Sequence, residues 1–232
     1  FPCDLITWKI TVMKKLLLLM LSLLAGGVLA AQENGKPTNT NSVFAFHIGL
    51  SNPMSDFRSK TFTNVEAGFA NPGYTLNLSY SYRFEPYFGL GGEVFYNRYK
   101  LDEEKIKEVY SQADVDHWQF YGLTAGPVFS FDLSNGISSH LRVMGGAAYC
   151  NSPKATEDGD LVLNEEWSWS TIVKGGLGFS FEAGKKYCII LNVDYLYTKP
   201  GFDIKPIVGE IADRVHQRIS AVNVTAGFGF RF

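Results

Sequence analysis

Hydrophobic and polar positions alternate with period two over most of the chain. The clearest stretch is Tyr74 to Phe84, where Tyr74, Leu76, Leu78, Tyr80, Tyr82 and Phe84 fall on one face and Thr75, Asn77, Ser79, Ser81 and Arg83 on the other. Side chains in an extended strand point to opposite faces in turn, so this pattern predicts a strand with one apolar and one polar face. Eight such runs are read, over residues 43–51, 73–84, 87–99, 117–131, 139–150, 167–182, 187–198 and 217–232. Most hold at least ten residues, enough for a tilted strand to cross a bilayer core.

The links between the runs alternate in length. Glu85-Pro86-Tyr87, Asp132 to Ser138 (with Asn135-Gly136 as turn) and Ala183 to Lys186 are short. Asn52–Pro72, Lys100–Asp116, Asn151–Glu166 and Lys199–His216 are long. Short turns at one end and long loops at the other describe an all-β, eight-stranded antiparallel up-and-down transmembrane barrel, with the long loops outside the cell. The last run closes on the first, leaving no free edge. Parity decides which face is inside. The interior of eight strands is barely wide enough for its own side chains, so the small, polar face is expected inward and the bulky face toward lipid. Aromatics gather at two levels, Phe84, Phe88, Phe129, Phe131, Phe179, Phe181, Phe230 and Phe232 near the short turns and Tyr74, Tyr96, Tyr149, Trp169 and Tyr197 near the loops. Two such girdles match a bilayer's two interfaces.

Composition sharpens this picture at the front of the chain. Met13-Lys14-Lys15, the apolar run Leu16 to Leu24 and the small residues ending at Ala30-Ala31 read as a secretory signal peptide over 13–31. Residues 1–12 are then upstream of the mature protein, 32–41 a polar lead-in and 42–232 the barrel domain. A mean hydropathy of −0.03 argues against a bundle of membrane helices and is compatible with strands apolar on one face. A net charge of −2 offers no nucleic-acid footprint. Cys150 and Cys188 fall at opposite ends of the barrel, too far apart for a disulfide, and are expected as free thiols.

On the inward parity lie His47, Arg83, Glu93, Arg142, Lys174, Glu182, Asp194 and Arg231. Charges withdrawn from water need partners, so Arg83, Glu93, Arg142, Lys174, Glu182 and Asp194 are expected to form a charge network that closes the lumen. Arg83 should oppose Gly89, Ser79 should oppose Glu93, and Lys174 should lie in diagonal reach of Asp194. A narrow pore for small solutes or ions is the alternative.

Some barrels of this size modify lipids, which requires a nucleophile, a base and an acidic orienter at the outer rim. His117 beside Asp116, Ser168, and His216 near Asp213 are the available groups, with no H-x-S spacing on a strand and His140 at the opposite end. An outer-leaflet lipid-modifying enzyme is therefore the second alternative, and no catalytic residue is assigned. The histidines lack metal-ligand spacing, and E-D-G-D at 157–160 lacks the length and glutamate of a calcium loop, so neither metal nor cofactor is expected. Leu101–Tyr110 and Ile207–Val215 have helical spacing and are expected as short helices in the second and fourth loops.

The 74–84 strand, Y-G-L-T-A-G-P-V-F-S-F at 121–131, G-G-A-A-Y at 145–149 and terminal G-F-G-F-R-F together resemble the PorT-like outer-membrane β-barrel family, a relative in architecture of the OmpA-type barrels. The resemblance implies an outer-membrane address, contacts with outer-membrane lipid and lipopolysaccharide, and a monomer without shared catalytic residues. It also implies biogenesis through periplasmic chaperones and the barrel-assembly machinery, with Phe228, Phe230 and Phe232 as the assembly signal. The wall-anchoring function of two-domain OmpA-type proteins is not expected, and any extracellular partner is expected to bind the long loops.

Overall fold

In a computed structural model of the protein, the described residues are 41–64, 66–108, 113–157, 160–163, 165–204 and 213–232. The region read as upstream sequence, signal peptide and lead-in lies outside them, apart from Asn41. Eight long strands carry the fold: β1 (Ser42–Pro53), β2 (Gly73–Glu85), β3 (Phe88–Lys100), β5 (His117–Ser134), β6 (Ile137–Asn151), β9 (Trp167–Glu182), β10 (Tyr187–Thr198) and β13 (Ile219–Arg231). The loops between them hold the short helices α1 (Ser55–Arg58) and α2 (Glu103–Lys107). They also hold the short strands β4 (Ala113–Val115), β7 (Ala155–Glu157), β8 (Asp160–Leu163), β11 (Gly201–Ile204) and β12 (Asp213–His216).

The long strands form a closed antiparallel barrel in the order β1-β13-β10-β9-β6-β5-β3-β2. β1 pairs with β2 on one side and with β13 on the other, Val43 opposite Arg231 and Ser51 opposite Asn223. Arg83 opposes Gly89 and Ser79 opposes Glu93. Lys174 opposes Leu196, one diagonal step from Asp194. Two links are tighter than the sequence suggested: β2 continues to Glu85 and β3 starts at Phe88, leaving Pro86-Tyr87, and β5 continues to Ser134 and β6 starts at Ile137, leaving Asn135-Gly136 as a two-residue turn. Gly136 has φ +80°, the left-handed conformation that such hairpin turns require.

The apolar row faces out. Phe46, Ile48, Leu90, Leu123, Leu177 and Val193 are all more than half exposed, whereas Glu93, Lys174 and Asp194 on the opposite parity are at most 1% exposed. The apolar side chains cover the outside and the charges fill the inside. Rings meet along both rims. At the turn end Phe84, Phe88 and Phe129 are in sequence contact at 5.1 and 5.2 Å, and Tyr187 stacks on Phe228 at 5.3 Å. At the loop end Tyr74, Tyr96, Tyr121, Trp167, Tyr149 and Trp169 form an unbroken run across five neighbouring strands, with centroid spacings of 4.7–6.0 Å.

The loops differ from expectation. The helix expected over 101–110 is shorter, Glu103–Lys107, capped by the Asp102 carboxylate accepting from the Lys105 amide; 109 and 110 lie outside the described residues. In the fourth loop, 205–212 lie outside the described residues, and 213–216 are a strand, not a helix, pairing with Gly201–Ile204. Strands β4, β7 and β8 form a separate three-stranded sheet joining the second and third loops. Glu157 and Asp160 of the E-D-G-D segment are paired in it, and 158–159 lie outside the described residues. Helical spacing in the fourth loop lost to pairing because the backbone groups of 213–216 and Gly201–Ile204 satisfy one another. No described helix is long and apolar enough to cross a membrane.

Candidate functional site: a lumen in two layers

The middle of the lumen is built from one inward side chain on each of four strands: Glu93 on β3, Arg142 on β6, Lys174 on β9 and Asp194 on β10. Arg142 donates from Nε to Asp194 Oδ1 at 2.8 Å and from Nη2 to Oδ2 at 2.5 Å, a two-pronged pairing. Its Nη1 lies 3.5 Å from Glu93 Oε2. Lys174 Nζ donates to Glu93 Oε1, stands 3.8 Å from Asp194 Oδ2 and sits over the Phe95 ring at 5.5 Å. Two cations and two anions, all with side chains no more than 5% exposed, cancel in a closed square. Such a cluster is tolerated only while it is complete, because each charge is desolvated.

Space for it comes from glycine on the facing strand. Gly176 opposes both Asp194 and Arg142, and a Cβ there would fall 2.1 Å from Asp194 Oδ1. Gly122 opposes Phe95 in the same way, with 2.2 Å from its Cβ position to the ring. Asp194, Arg142 and Phe95 thus occupy the place their glycine neighbours give up.

Toward the turn end a neutral polar chain follows. The Asn192 amide donates to His47 Nδ1 (3.2 Å) while its Oδ1 accepts from His140 Nε2 (2.9 Å), and His47 Nε2 then donates to Ser79 Oγ (2.9 Å). This assigns both imidazoles as Nε2–H tautomers, given the amide orientation.

Toward the loop end the lumen turns apolar. Phe95, Tyr99, Trp118, Phe120, Ile172, Leu196 and Ile219 are buried together, and Phe57 of α1 is inserted among them, fully buried. Its ring meets Tyr99 edge-on at 5.0 Å and lies 5.7 and 5.8 Å from Trp118 and Phe120. The polar atoms of this plug's rings are paired: Tyr99 shares 2.5 and 3.2 Å hydrogen bonds with Ser51 and Asn97, and Trp118 Nε1 donates to Gly68 O at 2.9 Å. This layer corrects the expectation of a uniformly small, polar interior. Parity puts Phe95, Tyr99, Trp118 and Phe120 inward; eight strands cannot enclose whole rows of bulky residues, but they can enclose a single layer of them. Phe57 lies in a loop, and nothing in the sequence marks it as a plug.

Of the six residues expected as one network, the structure brings together Glu93, Arg142, Lys174 and Asp194. Arg83 and Glu182 lie apart at the turn-end rim, Arg83 Nη1 3.7 Å from the exposed Asp132 and Glu182 accepting from Arg231 Nη1. The rim is a level below the square, so their side chains reach other partners. Phe228 and Phe230 form the outward row on β13, and Phe230 continues to Phe232 at 5.9 Å.

The groups weighed for lipid chemistry are not assembled. Ser168 is buried on the lumen face opposite Cys150, whereas His117 sits on the outward parity of a non-adjacent strand, 3.1 Å from Asp116. His216 pairs with Gly201 in the fourth-loop hairpin. Cys150 and Cys188 are free and buried. Among the described residues no group of His, Cys, Asp and Glu could hold a metal ion.

A closed eight-stranded antiparallel barrel with an apolar exterior and a charged interior is the fold of the bacterial outer-membrane barrels. Among solved structures, the chain is similar to Ail, the attachment invasion locus protein of Yersinia pestis, at 19% identity over 84% of this chain and 100% of that one, with a TM-score of 0.50. It is also similar to Neisserial surface protein A (15% identity, 82% and 96% covered, TM-score 0.48) and to the outer membrane protein OprG of Pseudomonas aeruginosa (16%, 83% and 97%, 0.46). No family model matches the sequence, and no curated protein matches it.

Proposed function

We propose that the protein is a non-enzymatic bacterial outer-membrane barrel whose lumen is sealed and whose interactions are made by the loops at the outer end. The observation that carries this reading is the inversion of the usual protein: an exposed belt of Phe, Leu, Ile and Val around buried Glu93, Arg142, Lys174 and Asp194. In water that belt is unfavourable by roughly 25 cal/mol per Å² of apolar surface, and a hydrocarbon layer removes the penalty. The aromatic runs at both rims suit the two interfaces of such a layer.

The sealed lumen is read from two stacked obstructions, the charge square and the aromatic plug held by α1. With transport disfavoured and no catalytic constellation among the described residues, function falls to the paired loop strands above the barrel. Outer-leaflet lipid and lipopolysaccharide are the proposed surroundings, and the outward row Phe228, Phe230 and Phe232 the proposed element read by the assembly machinery. Membership of the PorT-like family is proposed on the strand motifs at 74–84, 121–131 and 145–149. The test is fractionation of cells producing the full chain, followed by detergent gels without and with boiling. Sedimentation with outer membranes and heat-modifiable migration are expected; recovery in the soluble fraction without it would sink the reading.

A further inference from the structure

At the turn end, beneath the charge square, the lumen holds a cavity of about 100 Å³. Arg83, Arg142, Arg231, His47 and His140 line it, together with five serines and two asparagines, and no Asp or Glu does. The carboxylates that answer the arginines stand outside this lining. Asp194 and Glu93 hold Arg142 from the layer above, and Glu182 and Asp132 hold Arg231 and Arg83 at the rim. The Arg83–Asp132 contact is long, 3.7 Å, and Asp132 is 72% exposed, so it is a weak competitor for that guanidinium. The floor is already self-satisfied, since Asn192 bridges both histidines and His47 is spent on Ser79. What remains at the mouth is spare donor capacity: the N–H groups of Arg83 and Arg231 beyond those given to Asp132 and Glu182, and serine hydroxyls.

From this lining we infer that the turn-end half of the lumen is a blind binding pocket for a small free oxyanion, a phosphate or carboxylate species, held by Arg83, Arg231 and the serine hydroxyls. Guanidinium forks match the paired oxygens of such groups. A cation would meet three arginines and no carboxylate. The phosphate of a membrane lipid is excluded as the source, because the barrel wall is closed and the lipid's chains cannot follow its headgroup into the lumen. The pocket is a property of the barrel interior and does not rest on the proposed role of the loops.

The test uses the full chain folded in a non-ionic, phosphate-free detergent, with heat-modifiable migration as the check on folding. The imidazole resonances of His47 and His140 are followed by NMR during titration with sodium phosphate at fixed pH, against sodium chloride at matched ionic strength. A saturable shift with phosphate alone is expected. The double variant R83A/R231A should weaken it roughly tenfold or more, the loss expected for removing charged donors. Ser130→Leu, which fills the cavity while leaving both arginines in the chain, should abolish it. The inference is overturned by a flat titration, by an equal response to chloride or to glycerol, or by folded variants that titrate like the parent.

Discussion

The loop-end and turn-end halves of the lumen are walled by the same eight strands and filled by opposite chemistry. Above Lys174 the interior is Phe95, Tyr99, Phe120 and Trp118 around the inserted Phe57; below it are Arg142, Asp194, Asn192 and two histidines with a cavity beneath. The aromatic half is closed by shape and needs a loop to complete it. The charged half is closed by pairing and completes itself from barrel strands alone. One barrel therefore carries two obstructions that fail in different ways, the first when a contact is removed and the second when a charge loses its partner.

The largest effect should come from unbalancing the square. Lys174→Met leaves Glu93 buried beside a single, more distant cation and is expected to destabilise the folded barrel by about 3–5 kcal/mol. Urea titration of the heat-modifiable band measures this. The double change E93Q/K174M removes both charges, leaves Arg142 on Asp194, and should recover most of the loss. If the double variant is as damaged as the single one, pairing is not what closes this half.

Phe57→Ala tests the other half. Truncating a buried Phe costs about 3–5 kcal/mol in a core that cannot relax, but α1 is a loop element. The loss should therefore appear as protease sensitivity of the first loop, with the barrel band intact. In planar bilayers neither the parent nor F57A should conduct, because the square remains. Reproducible openings should require F57A combined with E93A/K174A. Openings in F57A alone would show that the charged layer is no seal.

A smaller effect is expected at the glycines. Gly176→Ala places a Cβ against both Asp194 Oδ1 and the Val193 carbonyl, 2.5 Å away, and should cost about 1–3 kcal/mol. Gly145, whose Cβ would meet nothing within 4 Å, should accept alanine without loss. Equal behaviour of the two would remove the argument that facing glycines make room for the square.

The smallest effect concerns the loops. Burial pushes the Asp102 carboxyl up, but the hydrogen bond from Lys60, the Lys105 amide and the charge of both lysines more than offset it and hold it below its ordinary value. A carboxylate depressed in the folded state stabilises above its unfolded pKa, and that contribution fades as pH falls through the folded value. Limited proteolysis of the first and second loops should thus accelerate in acid below about pH 4, the unfolded carboxylate range. Asp102→Asn should show the faster rate at neutral pH and lose the acid dependence, an effect on the order of 1 kcal/mol or less for a partly exposed pair.

Much of this molecule was legible in the order of its residues. Strands 167–182 and 187–198 were readable to the residue because Lys174, Glu182 and Asp194 share the parity opposite a mostly apolar outward row, and a one-residue slip would turn every one of these charges toward lipid. The opposition of Arg83 to Gly89 followed from a short turn and the same constraint. Which strands face each other around the ring also followed, since an even number of hairpin-linked strands has one way to close.

Tertiary structure decided what happens across the lumen and above it. Parity says that Glu93, Lys174, Arg142 and Asp194 all point inward. Strand tilt and barrel stagger set their height, and so select Lys174 for Glu93, 81 positions away, while leaving Arg83 and Glu182 at the rim. Phe57 becomes a plug because the first loop folds back over the mouth, a contact with no periodic signature. The segment at 213–216 pairs as a strand because Gly201–Ile204 is beside it. Local alternation is dictated by the chain's own geometry, while contacts between distant residues depend on closure, which no short stretch of sequence encodes.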